Sequence, residues 1–178
     1  KGLRDWILEQ NPDILCLQET KAQKEQLPGE IREIPGYHSF FASAQRPGYS
    51  GVAIYSKKEP QRVQIGFGVD DFDREGRVLI ADYEDFSLLN CYFPNGSASP
   101  ERLAYKMAFY EFLLTYLQDR QSTIVCGDVN TAHTELDLAR PKENEKVSGF
   151  LPQERDWIDR FLQSGYVDTF RMYHTEGE

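Results

Sequence analysis

The sequence predicts a layered α/β domain with a core of two mainly antiparallel sheets flanked by helices. Short apolar and β-branched runs recur between Tyr37 and Phe93, separated by loops rich in Gly, Pro and Asp, which is the pattern of strands joined by turns. Two longer segments of helical period, one opening at Ser99 and one after Leu151, supply flanking layers.

With 178 residues, 40% apolar and 13% aromatic, the chain has enough material for a substantial core and reads as one domain over residues 1–178. No apolar run is long enough to span a bilayer, and Lys1-Gly2-Leu3-Arg4-Asp5-Trp6 lacks the apolar stretch of a signal peptide. The expectation is a soluble, cytoplasmic protein without a membrane partner. Cys16, Cys91 and Cys126 lie inside apolar runs and lack metal spacing, so packed, reduced thiols are expected. Net charge is −9, which taken alone opposes a polyanionic partner. A metal-dependent phosphodiesterase escapes that objection, because bound cations neutralise its acids and only one face must be basic. Charge therefore neither selects nor excludes nucleic acid.

Residues 2–10 are expected to be helical, with Leu3, Trp6, Ile7 and Gln10 on one side, until Asn11-Pro12-Asp13 breaks the pattern. Ile14-Leu15-Cys16-Leu17 then reads as a buried strand ending in Gln18-Glu19-Thr20. A short helix is expected over about 28–34, with Pro28 suited to a first turn and Pro35-Gly36 as the stop. Strands follow at 37–42, 51–56, 62–67, 77–83 and 86–93. The tight Glu84-Asp85 connection predicts that the last two pair as an antiparallel hairpin. Ser99-Pro100-Glu101 opens the clearest helix: Ser caps, Pro takes the first helical position, and an acid complements the positive end. Its expected buried stripe is Leu103, Met107, Tyr110, Leu114 and Leu117.

Ile124-Val125-Cys126-Gly127-Asp128-Val129-Asn130 reads as another buried strand. Residues 131–150 are polar and without clear period, and long ordered loops of this kind are often functional. After Leu151-Pro152 a helix carries Trp157, Ile158, Phe161 and Leu162 inward and ends at Gly165. Val167-Asp168-Thr169-Phe170 is expected to begin one more extended segment. The chain opens on a helix with nothing before it and closes where a strand should begin, so a domain truncated at both ends is expected.

Polar groups with chemical potential stand at strand ends. Residues i and i+2 share one side of an extended chain, so Asp128 and Asn130 can aim at one point, one as anionic ligand or base and the other as neutral donor and acceptor. Taken alone, they also fit an Asx-rich turn. Glu19 ends the first strand, and Tyr92 with Asn95 marks another strand exit. Hard oxygen ligands without His or Cys suit magnesium or manganese, which use one or two carboxylates plus water and substrate phosphate.

On these residues the sequence resembles the exonuclease III class of abasic-site endonucleases, within the endonuclease/exonuclease/phosphatase superfamily. The motifs that carry the resemblance include Leu17-Gln18-Glu19-Thr20-Lys21, Gly48-Tyr49-Ser50-Gly51, Glu75-Gly76-Arg77-Val78, Tyr92-Phe93-Pro94-Asn95, Cys126-Gly127-Asp128-Val129-Asn130, Ala132-His133 and Gly149-Phe150-Leu151-Pro152-Gln153-Glu154-Arg155. The resemblance implies a four-layered α/β sandwich, incomplete in this chain. It implies that Glu19 ligates a catalytic magnesium, with manganese as an alternative. Asp128 and Asn130 would serve the metal and the attacking water, and Tyr92 would approach the scissile phosphate. Tyr49, Arg77 and Asn95 resemble positions facing the DNA backbone, and His133 resembles a supporting histidine.

Each residue also has a plain reading. Tyr92 fits an amphipathic core aromatic, and Arg77 fits a surface pair with Asp73 or Glu75. Arg46 and Tyr49 fit loop decoration, although an aromatic beside a basic residue also suits a DNA-facing loop. The resemblance departs at both ends. A first strand with an Asn-x-Asn-Gly-like motif, a C-terminal Asp ligand, a Ser-Asp-His motif and the aromatic lining of the abasic-sugar pocket are all absent from this sequence.

The expected activity is magnesium-dependent hydrolysis of the phosphodiester 5′ to an abasic site in double-stranded DNA, with trimming of blocked 3′ ends by a monomeric enzyme working in the cytoplasm, nucleoid or nucleus. The chain as it stands is expected to be inactive. The rivals are an inositol phosphatase or deadenylase of the same superfamily, and a non-catalytic nucleic-acid-binding protein.

Overall fold

The computed structural model describes residues 2–176. Its strands are β1 (Ile14–Gln18), β2 (His38–Ala42), β3 (Val52–Ser56), β4 (Arg62–Ile65), β5 (Val78–Asp82), β6 (Ser87–Tyr92) and β7 (Thr123–Asp128). Its helices are α1 (Leu3–Gln10), α2 (Gly29–Arg32), α3 (Asp70–Asp73), α4 (Pro100–Leu117), α5 (Pro141–Asn144) and α6 (Pro152–Gln163). The chain divides into two compact units, Lys1–Tyr92 with Gln121–Asp128, and Phe93–Arg120 with Val129–Glu178.

The first unit contains both sheets, in the orders β1-β3-β2 and β4-β5-β6-β7. All pairings are antiparallel except β6 with β7. The expected hairpin forms between β5 and β6. Parallel pairing of β6 with β7 needs a long crossover, which the thirty residues carrying α4, between Tyr92 and Thr123, provide.

Strand β3 is buried along its whole length because each of its faces meets a different partner. Val52 and Ile54 join Ala42, Leu79, Ala81, Tyr83 and Leu88 between the two sheets. Ala53 and Tyr55 point the other way, onto Ile7 of α1 and Ile34 beyond α2. The expected class, α/β with two mainly antiparallel sheets and flanking helices, is what this unit shows.

Three local expectations are corrected in this unit. Trp6 is 46% exposed and Ile7 carries the burial of α1. Strand β1 is half-buried, and in β7 Ile124 is 51% exposed. Both strands end their sheets, so each has a neighbour on only one side, and an apolar run by itself does not distinguish a central strand from an edge one. All three cysteines are free thiols, with Cys16 and Cys126 in mutual contact.

The second unit is built on α4 and α6. Ser99 caps α4 by accepting from the Arg102 N–H at 3.3 Å. The buried face of α4 is Lys106, Phe109, Tyr110, Leu113 and Leu117, so Leu103, Met107 and Leu114 flank the core and a lysine sits inside it. Phe93, Phe109, Tyr110 and Trp157 form an aromatic cluster, and Trp157 Nε1 donates to the Tyr110 carbonyl at 2.8 Å. Of the four apolar residues expected inward on α6, Trp157 is buried while Ile158, Phe161 and Leu162 are half-buried. The expected strand at 167–170 does not form. The Asp168 carboxylate instead accepts from the N–H groups of Phe170 and Arg171 at 2.9 and 3.0 Å, an Asx turn that competes with extension.

Candidate functional site

In the first unit, the end of β1 is fixed by a buried amide. Asn90 of β6 is fully buried; its Nδ2 donates to the carbonyls of Leu17 and Ala53, at 3.1 and 2.8 Å, and its Oδ1 accepts from Gln18 Nε2 at 2.7 Å. Three hydrogen bonds from one buried side chain tie β1, β3 and β6 together and satisfy its cost of burial. Glu19 follows directly with φ of 55°, a conformation that non-glycine residues adopt only where the surroundings hold them. The holding contacts are Thr20 N–H to the Gly51 carbonyl, 3.1 Å, and Lys21 N–H to the Ser50 carbonyl, 2.8 Å. A side chain at Gly51 would meet Thr20 Oγ1 at 2.4 Å, so this approach requires glycine.

The Glu19 carboxylate is half-exposed, with Lys21 Nζ at 3.0 Å. The Lys21 hydrogen bond is the largest influence on its carboxyl; burial, next in size, opposes it, and the Tyr92 hydroxyl with the positive charges of Lys21 and Arg77 adds to the Lys21 effect, so the carboxyl is held below its usual range. Burial, followed by the hydrogen bond and negative charge of Glu19, pushes the Tyr92 phenol up, so at neutral pH Tyr92 is a neutral donor.

Tyr92 and Asp128 are register partners across β6 and β7, and Asp128 is exposed. Beside them lies Arg77, 3% exposed. Its Nε donates to Glu75 at 2.6 Å, its Nη1 to the Tyr92 carbonyl at 2.9 Å and its Nη2 to the Tyr49 hydroxyl at 2.9 Å. The guanidinium also lies over the Tyr92 and Tyr49 rings, at 4.8 and 5.6 Å, and Arg46 covers Tyr49 at 5.5 Å. The ion pair with Glu75 is therefore buried, not the surface contact that spacing allowed. Arg77 turns inward and orients two tyrosines.

Two carboxylates at strand ends, one already drawing a cationic ammonium, are hard oxygen donors of the kind divalent magnesium or manganese takes. Among the described residues no three His, Cys, Asp or Glu side chains converge. Glu19 and Asp128 are therefore the two residues that would hold such an ion, the remaining ligands being of the water and phosphate-oxygen kind that magnesium would take.

In the second unit, Asn130 has φ of 54°. Its Nδ2 donates to the Phe93 carbonyl at 2.9 Å, and its Oδ1 accepts from Asn95 Nδ2 at 3.4 Å. Asn95 is exposed, and its own Oδ1 accepts from Ser97 N–H and Oγ. His133 Nε2 lies 2.8 Å from Asp159 of α6, and the His133 carbonyl accepts from Arg155 Nε at 2.8 Å, so it fastens the loop to α6.

The structure thus groups Glu19, Tyr49, Arg77, Tyr92 and Asp128 in the first unit, and Asn95, Asn130 and His133 in the second. The sequence reading assigned no role to Asn90, Lys106 or Glu154. Only the place of Lys106 within an otherwise apolar helical stripe could have drawn attention to it.

The family model described as "Endonuclease/Exonuclease/phosphatase family" matches residues 1–176. The chain is 42% identical over 177 residues to the DNA repair nuclease APEX1 of Danio rerio, covering 97% of this chain and 57% of that protein. It is 41% identical over 176 residues to an exodeoxyribonuclease of Bacillus subtilis, covering 97% and 69%. Among solved structures, an AP endonuclease from Archaeoglobus fulgidus superimposes with a TM-score of 0.88 at 31% identity, covering 97% of this chain and 68% of that one. The chain thus spans little more than half the length of the Danio protein.

Proposed function

The chain belongs to the endonuclease/exonuclease/phosphatase family, and on that premise we propose that the whole protein is a DNA repair phosphodiesterase. It hydrolyses the phosphodiester 5′ to an abasic site in double-stranded DNA, leaving a 3′-hydroxyl, and trims blocked 3′ ends. We further propose that it acts as a monomer, with residues 1–178 belonging to one domain of the family, in the cytoplasm or beside the chromosome. Among the described residues no helix is long and apolar enough to cross a membrane.

The observation that carries the reading is the joint presentation of Glu19, Tyr92 and Asp128 at strand ends. The nucleases of this family generally depend on a divalent metal, and magnesium, or manganese in its place, fits the two carboxylates. When bound, the ion supplies Lewis-acid polarisation of a phosphate oxygen and neutralises charge.

The remaining work belongs to side chains. Tyr92, kept neutral, donates its hydroxyl proton as a hydrogen bond toward a non-bridging phosphate oxygen. Asp128 accepts the proton of the attacking water. Asn130, whose amide orientation is set by Phe93 and Asn95, holds a water or a phosphate oxygen. Tyr49 meets the DNA backbone, backed by Arg77, while Asn95 makes its own backbone contact and His133 supports its loop.

The test is cleavage by the full-length protein, with magnesium, of a duplex carrying one abasic site, compared with poly(A) and a phosphoinositide. Incision 5′ to the lesion, at a rate well above that on either alternative, is expected. Preference for poly(A) or the phosphoinositide would overturn the reading in favour of another phosphoesterase of the family.

A further inference from the structure

Lys106 and Glu154 form an ion pair in which both side chains are wholly buried, with Nζ 2.6 Å from Oε1. Removing two charges from water is costly, and a well-packed apolar pair in their place is often as stable or more so. Stability alone therefore does not account for them. What a charged pair adds is direction, because an ammonium has three donors and a carboxylate several acceptor sites.

Every one of those directions is used. Lys106 Nζ donates to Glu154, to the Asn130 carbonyl at 2.8 Å and to Thr131 Oγ1 at 2.9 Å. Glu154 additionally accepts from Ser148 Oγ at 2.8 Å and from the N–H groups of Gly149 and Leu151, at 2.6 and 2.9 Å. The same short segment is held from a second side, since the Tyr110 hydroxyl donates to the Val129 carbonyl at 2.8 Å and lies 2.8 Å from Thr131 Oγ1. Ala132 N–H closes the frame on the Gly149 carbonyl at 2.8 Å. Asn130, inside this frame, holds the left-handed backbone conformation, one that asparagine enters more readily than most residues, and the frame fixes it there.

We propose that the buried Lys106–Glu154 pair is a positioning device for Asn130: it fixes the Asn130 peptide on α4 and α6, and so aims the carboxamide without touching substrate. This gives the Gly149-Phe150-Leu151-Pro152-Gln153-Glu154-Arg155 motif a task, which is to wrap backbone N–H groups around the Glu154 carboxylate so that Lys106 can be spent on Asn130. The inference rests on the proposed role of Asn130 in phosphodiester hydrolysis.

The test uses the full-length enzyme with magnesium and an abasic duplex, in the variants Lys106→Met, Lys106→Met/Glu154→Leu, Asn130→Ala and the triple combination. Lys106→Met alone strands the Glu154 charge and is expected to destabilise the protein. The double variant removes both charges, so its urea midpoint returns toward that of the parent. Its kcat nevertheless stays down by about tenfold or more, with KM within about twofold. In the Asn130→Ala background the two further substitutions change kcat by less than about twofold, because the group they position is gone. Recovery of kcat together with the urea midpoint in the double variant would overturn the inference and leave the pair a packing element. Full activity of Asn130→Ala would instead overturn the role of Asn130 itself, whatever the double variant does.

Discussion

Tyr92 and Asp128 stand opposite one another at the ends of the parallel strands β6 and β7, and the Tyr92 hydroxyl hydrogen-bonds Glu19, just beyond β1. One phenol thus feels two carboxylates supplied by strands from different sheets. Both charges act on it in the same sense, raising its ionisation threshold, with burial the larger cause.

Asp128→Asn removes the proton acceptor while preserving size and shape. In the intact enzyme, kcat on an abasic duplex is expected to fall by at least about a hundredfold, with DNA affinity within about threefold of the parent, about half a decade in binding. Single-turnover cleavage and equilibrium binding on the same duplex check both halves. Near-normal cleavage would remove Asp128 from the chemistry.

Tyr92→Phe keeps the ring over Arg77 and deletes only the hydroxyl. Because the lost hydrogen bond reaches a half-exposed carboxylate, folding stability should change by no more than about 1 kcal/mol. Turnover should fall by about tenfold to a hundredfold through loss of a donor to the phosphate. Denaturant unfolding beside a kcat measurement separates the two effects, and unchanged turnover would return Tyr92 to a packing role.

Gly127→Ala tests the strand pairing beneath the site. Gly127 has φ of 137°, and a Cβ there would lie 1.9 Å from the Cys91 carbonyl oxygen of β6. Backbone cannot yield as a side-chain tip can, so a loss of about 3 kcal/mol or more in urea unfolding is expected. A change below about 1 kcal/mol would show that β7 can shift without consequence.

Asp137 gives a pH dependence with a definite sign. Burial pushes its carboxyl up, but hydrogen bonds from the Thr134 N–H, Arg171 and the Thr134 hydroxyl outweigh burial and leave it below the ordinary value. A depressed value in the folded state means stability that is fully present above the unfolded carboxyl range, about 4, and is lost as pH falls through the folded value. Releasing Arg171 also frees its contacts with the carbonyls of Leu136 and His174. Urea midpoints measured from neutral pH down to about 3 should fall for the parent, while Asp137→Asn starts lower and falls less steeply. Parallel curves would exclude this carboxylate as a source of the dependence.

Much of this was legible in the chain. The hairpin of β5 and β6, the Ser99 cap and the candidate acids at strand ends all follow from local chemistry: turn residues, capping groups and the apolar run before each acid. Motif content was legible as well, since short strings such as Gln18-Glu19-Thr20 and Gly127-Asp128-Val129-Asn130 need no neighbours to be read. Ile124 and Trp6 show where such reading stops, because burial is decided by which elements come to lie alongside. So does Val167-Asp168-Thr169-Phe170, where strand propensity lost to an Asx turn.

The sequence by itself therefore determined most of the longer elements, the class of fold and the residue types available for phosphate chemistry. Only the tertiary structure decided that Arg77 faces inward to set two tyrosines, that Asn90 ties the end of β1 to β6, and that Lys106 is spent inside the protein on Glu154 and Asn130. The physical reason is the same in each case. A charged or amide side chain is placed by partners distant in the chain, and its burial is tolerated only when those partners satisfy it.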